Sequence, residues 1–380
     1  MEFWMYGIDG NDKYESFRIL KEVGIKSVVT GYDEEVIDMA SEFLMDIYLC
    51  SGTYGASGSF SDERYLSEDI NGNRHIWFGS TCPNKEEVRK YNIDTLKQWS
   101  SRKEIKGIYL DGARFASPCS GPDFNAFFTC FCHDCELKAD SLGFNFMRMK
   151  KDVEKLHNSF FGKLHDACGK NYIQGEFDMI TFFQEYQGVF EWLNFRRVCT
   201  TEHIINVART VKRSKDSNVM GIYIFTPSLA GLVGQSYTDL KNYVDIFSPM
   251  IYRSYKKSGE PACINNESAR LARELRLTSC KDDYNTVKLI SRLTGINLSG
   301  YKTIQDIQDG LPVSCVQTET EKARALLGNS KALIPIIQLD DEFLEQSVDA
   351  VKSGGADGVA FFMFDKTAVS NMKNLGFIHK

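Results

Sequence analysis

Short apolar runs rich in β-branched and aromatic residues recur along the chain, each closing on a glycine or a polar residue, with helical periodicity between them. Eight such runs are legible: 3–10, 25–33, 44–52, 105–115, 219–228, 244–253, 332–341 and 358–365. They are close to continuously apolar, as parallel strands buried on both faces must be. The intervening amphipathic segments include 14–24, 34–44, 85–101, 200–214 and 344–355. Eight alternations of strand and helix predict a (β/α)₈ barrel, an α/β fold. A doubly wound open sheet is the rival, but it would need a glycine-rich phosphate loop after its first strand. Here Gly7 and Gly10 stand there without the rest of that fingerprint. Two connections are long, 116–218 between the fourth and fifth strands and 254–331 between the sixth and seventh. Both follow strand C-termini and therefore belong over the face where barrels do chemistry. The reading is one barrel domain over 1–380 with these two segments as insertions.

Composition narrows the class of protein without changing the fold. The 380 residues are 43% hydrophobic and 25% charged, enough for a large core and too apolar for disorder. A net charge of −6 leaves no basic footprint for nucleic acid. No apolar run reaches the roughly 18 residues of a membrane helix, and MEFWMYGIDG does not have the pattern of a secretory leader. The expectation is a cytoplasmic protein whose 11 Cys stay reduced.

In such a compartment a tight cysteine cluster points to metal before disulfides. The segment TCFCHDC places Cys130, Cys132 and Cys135 on one short loop, a spacing that tetrahedral zinc accepts. A fourth ligand is needed, and Cys82, Cys119 and His133 are the candidates. A closed set of four thiolates leaves no position for an activated water, so the zinc would be structural.

The segments CPNKEEVRKY (82–91), CFCHDC (130–135) and EWLNFRR (191–197) together resemble glycoside hydrolase family 42 β-galactosidases and related glycosidase-like barrels. SPMIYR (248–253) and IPIIQLDD (334–341) are similar to late-strand motifs of the latter. The resemblance implies that Cys82 joins Cys130, Cys132 and Cys135 at one zinc, and it implies a homo-oligomer. One departure stands out. That family carries its acid/base glutamate after strand four in an Asn-Glu pair, and here the place reads LDGARF, with Asp111. The scaffold and the zinc are therefore implied, whereas β-galactosidase activity is not.

Barrel sites are built from strand ends, and here those ends are rich in carboxylates. They carry Asp9, Asp33, Asp111 with Arg114, Tyr252 with Arg253, Gln338 with Asp340 and Asp341, and Asp365. None of the six His falls at a strand end, which disfavours a His-built catalytic metal or a Ser-His-Asp triad. Paired carboxyls suit glycoside cleavage, one protonating the leaving oxygen while the other attacks or activates water. Asp111 is the first choice; its alternatives are a loop cap or a salt bridge to Arg114. Glu176, in the aromatic stretch YIQGEFDM, is the second, with a helix N-terminus as its alternative. Asp340 is the third, where related barrels place a nucleophile, with helix capping as its alternative. Asp9, Arg114, Tyr252, Arg253, Gln338 and Asp365 are expected to bind substrate. Two functions follow: a glycosidase acting on a small glycoside or oligosaccharide, or a carbohydrate-binding or lyase/isomerase-type barrel that kept the scaffold without hydrolysis.

Overall fold

The computed structural model describes residues 1–160, 179–255, 259–278 and 282–375. Its frame is eight parallel strand positions around one axis. They are β1 (Glu2–Tyr6), β2 (Ser27–Thr30), β3 (Asp46–Gly52), β4 (Gly107–Asp111), β5 (Val219–Phe225), β6 (Ile246–Met250), β7 (Ala332–Leu333 with Ile336–Gln338) and β8 (Gly358–Phe362). Each pairs with the next in chain order, and Glu2 opposite Gly358 joins β1 to β8, closing the barrel. The eight runs read from the sequence coincide with these eight positions. β7 is split because Pro335 has no N–H for the ladder. Its carbonyl still accepts from the Ala360 N–H at 2.8 Å.

Helices follow the strands, two of them opened by a side chain that was a candidate for chemistry. Asp33 caps Glu34–Glu42 by accepting from the Val36 N–H, and Asp365 caps Lys366–Asn371 by accepting from the Ala368 N–H. The helix expected at 200–214 begins earlier and runs over Gln187–Ser214. Its buried Trp192, Phe195, Cys199, His203 and Val207 recur at helical spacing, so one stripe packs along the whole length. The segment after β3 holds an unexpected two-stranded hairpin, Ser67–Glu68 with Arg74–His75. No helix among the described residues is long and apolar enough to cross a membrane.

The barrel interior is filled by aromatic rings. Trp4 stacks on Tyr48 at 4.8 Å between centroids, Tyr48 meets Tyr109 edge-on at 5.6 Å, and Tyr109 lies 4.9 Å from Tyr223. Tyr6 continues the column towards the strand C-termini at 5.2 Å from Tyr223. Rings this large fit because Gly221 stands directly opposite Tyr109 in the β4–β5 register.

Candidate active site and metal centre

At the C-terminal mouth of the barrel the strand ends converge on a cavity of about 40 Å³, room for water-sized molecules. Asp111, the last residue of β4, is half-buried in its wall. Loss of water pushes its carboxyl above the ordinary aspartate range, opposed by the Gly112 N–H at 2.7 Å and by the charge of Arg114. Tyr6 donates its hydroxyl towards Asp111 Oδ2 at 3.5 Å. Burial and the neighbouring carboxylate hold that phenol neutral by raising its pKa.

Arg114 is buried behind Asp111. Its Nη1 donates to Phe115 O at 3.0 Å and Ser120 Oγ at 2.9 Å, and its guanidinium sits 5.0 Å from the Trp77 ring and 4.7 Å from the Phe225 ring. Burial lowers its pKa to about 10, so it remains a cation at neutral pH. Ser117 carries the network onward, bonding to Ser120 Oγ at 2.8 Å and donating to Glu267 Oε1 at 2.5 Å. Glu267, fully buried, accepts the N–H groups of Cys119 at 2.9 Å and Ala262 at 3.0 Å. These bonds hold the cavity wall at 260–263 in place. Ala262 there has φ +65°, left-handed backbone that needs such support.

The cavity brings together four residues expected from the strand ends: Asp111, Arg114, Tyr252 and Gln338. Tyr252 and Gln338 are 5% exposed. Arg253 is engaged elsewhere. It forms a two-pronged buried ion pair with Asp341, Nε to Oδ2 at 2.8 Å, and its Nη1 donates to Leu311 O at 2.7 Å. The side chain therefore ties the end of β6 to the end of β7. Asp340 is exposed and outside the lining, and Asp9 accepts from the Asn11 N–H in a turn. Glu176 lies outside the described residues. The cavity also holds groups that strand-end reading missed: Phe78, Tyr255, Glu260 and Cys263. Glu260 follows β6 by ten residues. The pairing of Tyr252 with Cys263 and the Ala262 N–H on Glu267 fold it back, and no local pattern announces that.

Beside the barrel, Cys82, Cys130, Cys132 and Cys135 are all buried with their sulfurs within 4.8 Å of one another. Cys82 Sγ is 3.5 Å from Cys135 Sγ and 3.6 Å from Cys132 Sγ. These gaps are far beyond a disulfide bond of about 2.05 Å. They match the edge of about 3.8 Å that four sulfurs at about 2.3 Å from one zinc would define. Donors already face the sulfurs: Glu68 N–H at 3.3 Å from Cys130, Asn84 N–H at 3.4 Å from Cys82 and Asn84 Nδ2 at 3.2 Å from Cys135. Such bonds stabilise thiolates around a metal. Of the other two candidates, Cys119 is set beside Glu267 instead, and the His133 side chain is 76% exposed.

No protein-family model matches the chain, and no curated protein matches it either. Solved structures do. The β-galactosidase of the Antarctic haloarchaeon Halorubrum lacusprofundi superposes with a TM-score of 0.62 at 10% identity, covering 98% of this chain and 58% of that one. The β-galactosidase of the psychrophilic Marinomonas ef1 gives 0.59 at 11% identity, with 98% and 59% covered. A GH42 β-galactosidase from G. stearothermophilus gives 0.56 at 11% identity, with 97% and 56% covered. The chain thus spans less than two thirds of each. Its fold is the (β/α)₈ barrel that these glycosidases share.

Proposed function

We propose that this chain is a glycoside hydrolase of small glycosides or oligosaccharides, with Asp111 as the general acid and Glu260 as the second carboxyl. One observation carries the reading: a carboxyl with raised pKa stands at the C-terminal mouth of the barrel, and a second carboxyl lines the same cavity. A carboxyl that holds its proton more tightly than an ordinary aspartate can protonate the leaving glycosidic oxygen, after which it is ionised and can take a proton back from water. Glu260 then serves as nucleophile or as base to the attacking water, and the anomer of the first product distinguishes these roles. The activity of the structural neighbours and the resemblance of the cysteine segments support the same class of reaction.

The four thiols are assigned to one structural zinc. The closed sulfur set would hold the ion without an open position, and the ion would supply a cross-link rather than an activated water.

A specific observation favours a second reading, saccharide binding without hydrolysis. The cavity has room of only about 40 Å³, and Asp340, expected where related barrels place a nucleophile, lies outside its lining. Turnover of a panel of aryl glycosides by the parent chain and by Asp111→Asn decides between them. The hydrolase reading expects turnover that falls at least about 10²-fold in the variant. Turnover that survives the substitution, or a parent chain that binds sugars and cleaves none, overturns it.

A further inference from the structure

We infer that Phe78 is the platform on which the substrate's pyranose ring stacks, at the rim of the cavity that holds Asp111; this rests on the carbohydrate reading above. Phe78 and Gly79 are the central residues of a tight turn closed by the Ser80 N–H bonding to Trp77 O at 2.8 Å. Their φ values are +46° and +64°, the type I′ pattern that favours Asn-Gly. An aromatic residue takes that left-handed conformation only against strain. The turn is nevertheless firmly held, with the Phe78 N–H on Ser120 O at 2.7 Å and the Ala56 N–H on Gly79 O at 2.8 Å.

The side chain does not repay this strain by burial. Trp77 is fully buried, whereas Phe78 is 53% exposed. A residue that is both strained and half in water contributes little to the fold, and the local geometry would prefer Asn at this place. What the position supplies is an aromatic face at the mouth of the cavity, with the Arg114 guanidinium 5.8 Å from its centroid.

A second feature of the same cavity points to the same ligand. Tyr223 is 2% exposed, lines the cavity, and has a buried hydroxyl with no hydrogen-bond partner among the described residues. Burial raises its pKa far enough to keep it a neutral donor. A buried hydroxyl without a partner is unfavourable unless a bound group completes it. A pyranose offers both complements, an apolar C–H face for a ring and a hydroxyl edge for a phenol. Phe78 is thus a positioning residue, with Asp111 left to the chemistry.

The test titrates methyl β-galactopyranoside and methyl β-glucopyranoside into the full chain by calorimetry. It compares the parent with Phe78→Asn, Phe78→Trp and Asp111→Asn, and follows Tm alongside. The expected result is that Phe78→Asn weakens binding about tenfold while Tm rises by about 2 °C, because Asn-Gly relieves the turn. Phe78→Trp should keep the affinity. Unchanged affinity in Phe78→Asn, a lowered Tm in that variant, or a parent chain that binds neither glycoside overturns the inference. The two readings fail separately. If glycoside turnover survives Asp111→Asn while Phe78→Asn still weakens binding, the acid assignment falls and the platform stands.

Discussion

At the scale of single residues, the carboxyl of Asp111 has two consequences with opposite signs for the protein. Its folded pKa is raised by burial, so the folded chain holds this proton more tightly than the unfolded chain does. Its contribution to stability is therefore present at low pH. That contribution is lost as pH climbs from the ordinary aspartate value of about 3.9 through the raised folded value. Asp111→Asn removes the titration and can still accept from the Gly112 N–H. Its Tm is expected to exceed that of the parent at pH 8 and to converge with it at pH 4. Thermal melts at the two pH values check this, and a gap that does not change with pH would sink the assigned burial effect. Asp111, Gln338 and Tyr252 were legible in the sequence because a barrel strand aims its last residues at the mouth. Arg253 follows its strand in the same way, yet its charge is neutralised by Asp341, 88 residues later. Strand-end logic gives a position but not a partner, and the partner decides whether a side chain is available to a ligand.

At the scale of elements, the cysteine group joins the segment after β3 to the segment after β4, which the antiparallel bridge of Asp69 with Thr129 and the Phe131 N–H on Glu68 O at 2.7 Å also bring together. Cys82 lies just before helix Glu86–Ser100, while Cys132 is the residue that opens helix His133–Ser141. Lys85 also pairs with Asp134, and Arg89 and Lys138 share Glu202, so ionic contacts run beside the sulfurs. Exposed or partly exposed pairs of this kind add little, whereas a closed zinc site contributes its binding energy to folding. Metal analysis of purified protein should find about one equivalent. Cys132→Ser should lose it and melt several degrees lower, while Cys119→Ser should retain it. Retained metal in the first variant, or lost metal in the second, would refute the assignment. The cluster of three was readable because its ligands fall within six consecutive residues, although Cys135 lies in the first turn of helix His133–Ser141 and not on a loop. The fourth was not fixed by spacing, since Cys82 and Cys119 precede the loop at unremarkable distances. Only the bends that fold the segment after β3 against the one after β4 choose between them. The hairpin at Ser67–Glu68 and Arg74–His75 escaped for a similar reason, because two residues per strand are too few to show a period.

At the scale of the whole molecule, the eight strands were legible because each is a buried apolar run, but the way they fill the barrel was not. Branched aliphatic residues usually pack such interiors. Here Trp4, Tyr48, Tyr109 and Tyr223 do so, and the sequence offered no means of telling an aromatic that plugs the barrel from one that faces a ligand. The distinction lies across the strands: Tyr109 points inward because its register partner is Gly221. A Cβ added to Gly221 would fall onto the Tyr109 ring, within 2.6 Å of Cδ2. That ring cannot retreat, since Trp4, Tyr48 and Tyr223 surround it at centroid distances of 6.2, 5.6 and 4.9 Å. Gly221→Ala is therefore expected to destabilise the chain by about 3 kcal/mol or more through overpacking. Tyr109→Leu alone should also destabilise it, by leaving a void in the column. In the double variant the added methyl enters that void, so the combined loss should be smaller than the sum by about 1 kcal/mol or more. Denaturant melts of the four proteins measure this coupling. Simple additivity would mean that the glycine does not make room for the ring, and that the column is held by something other than this cross-strand exchange of volume.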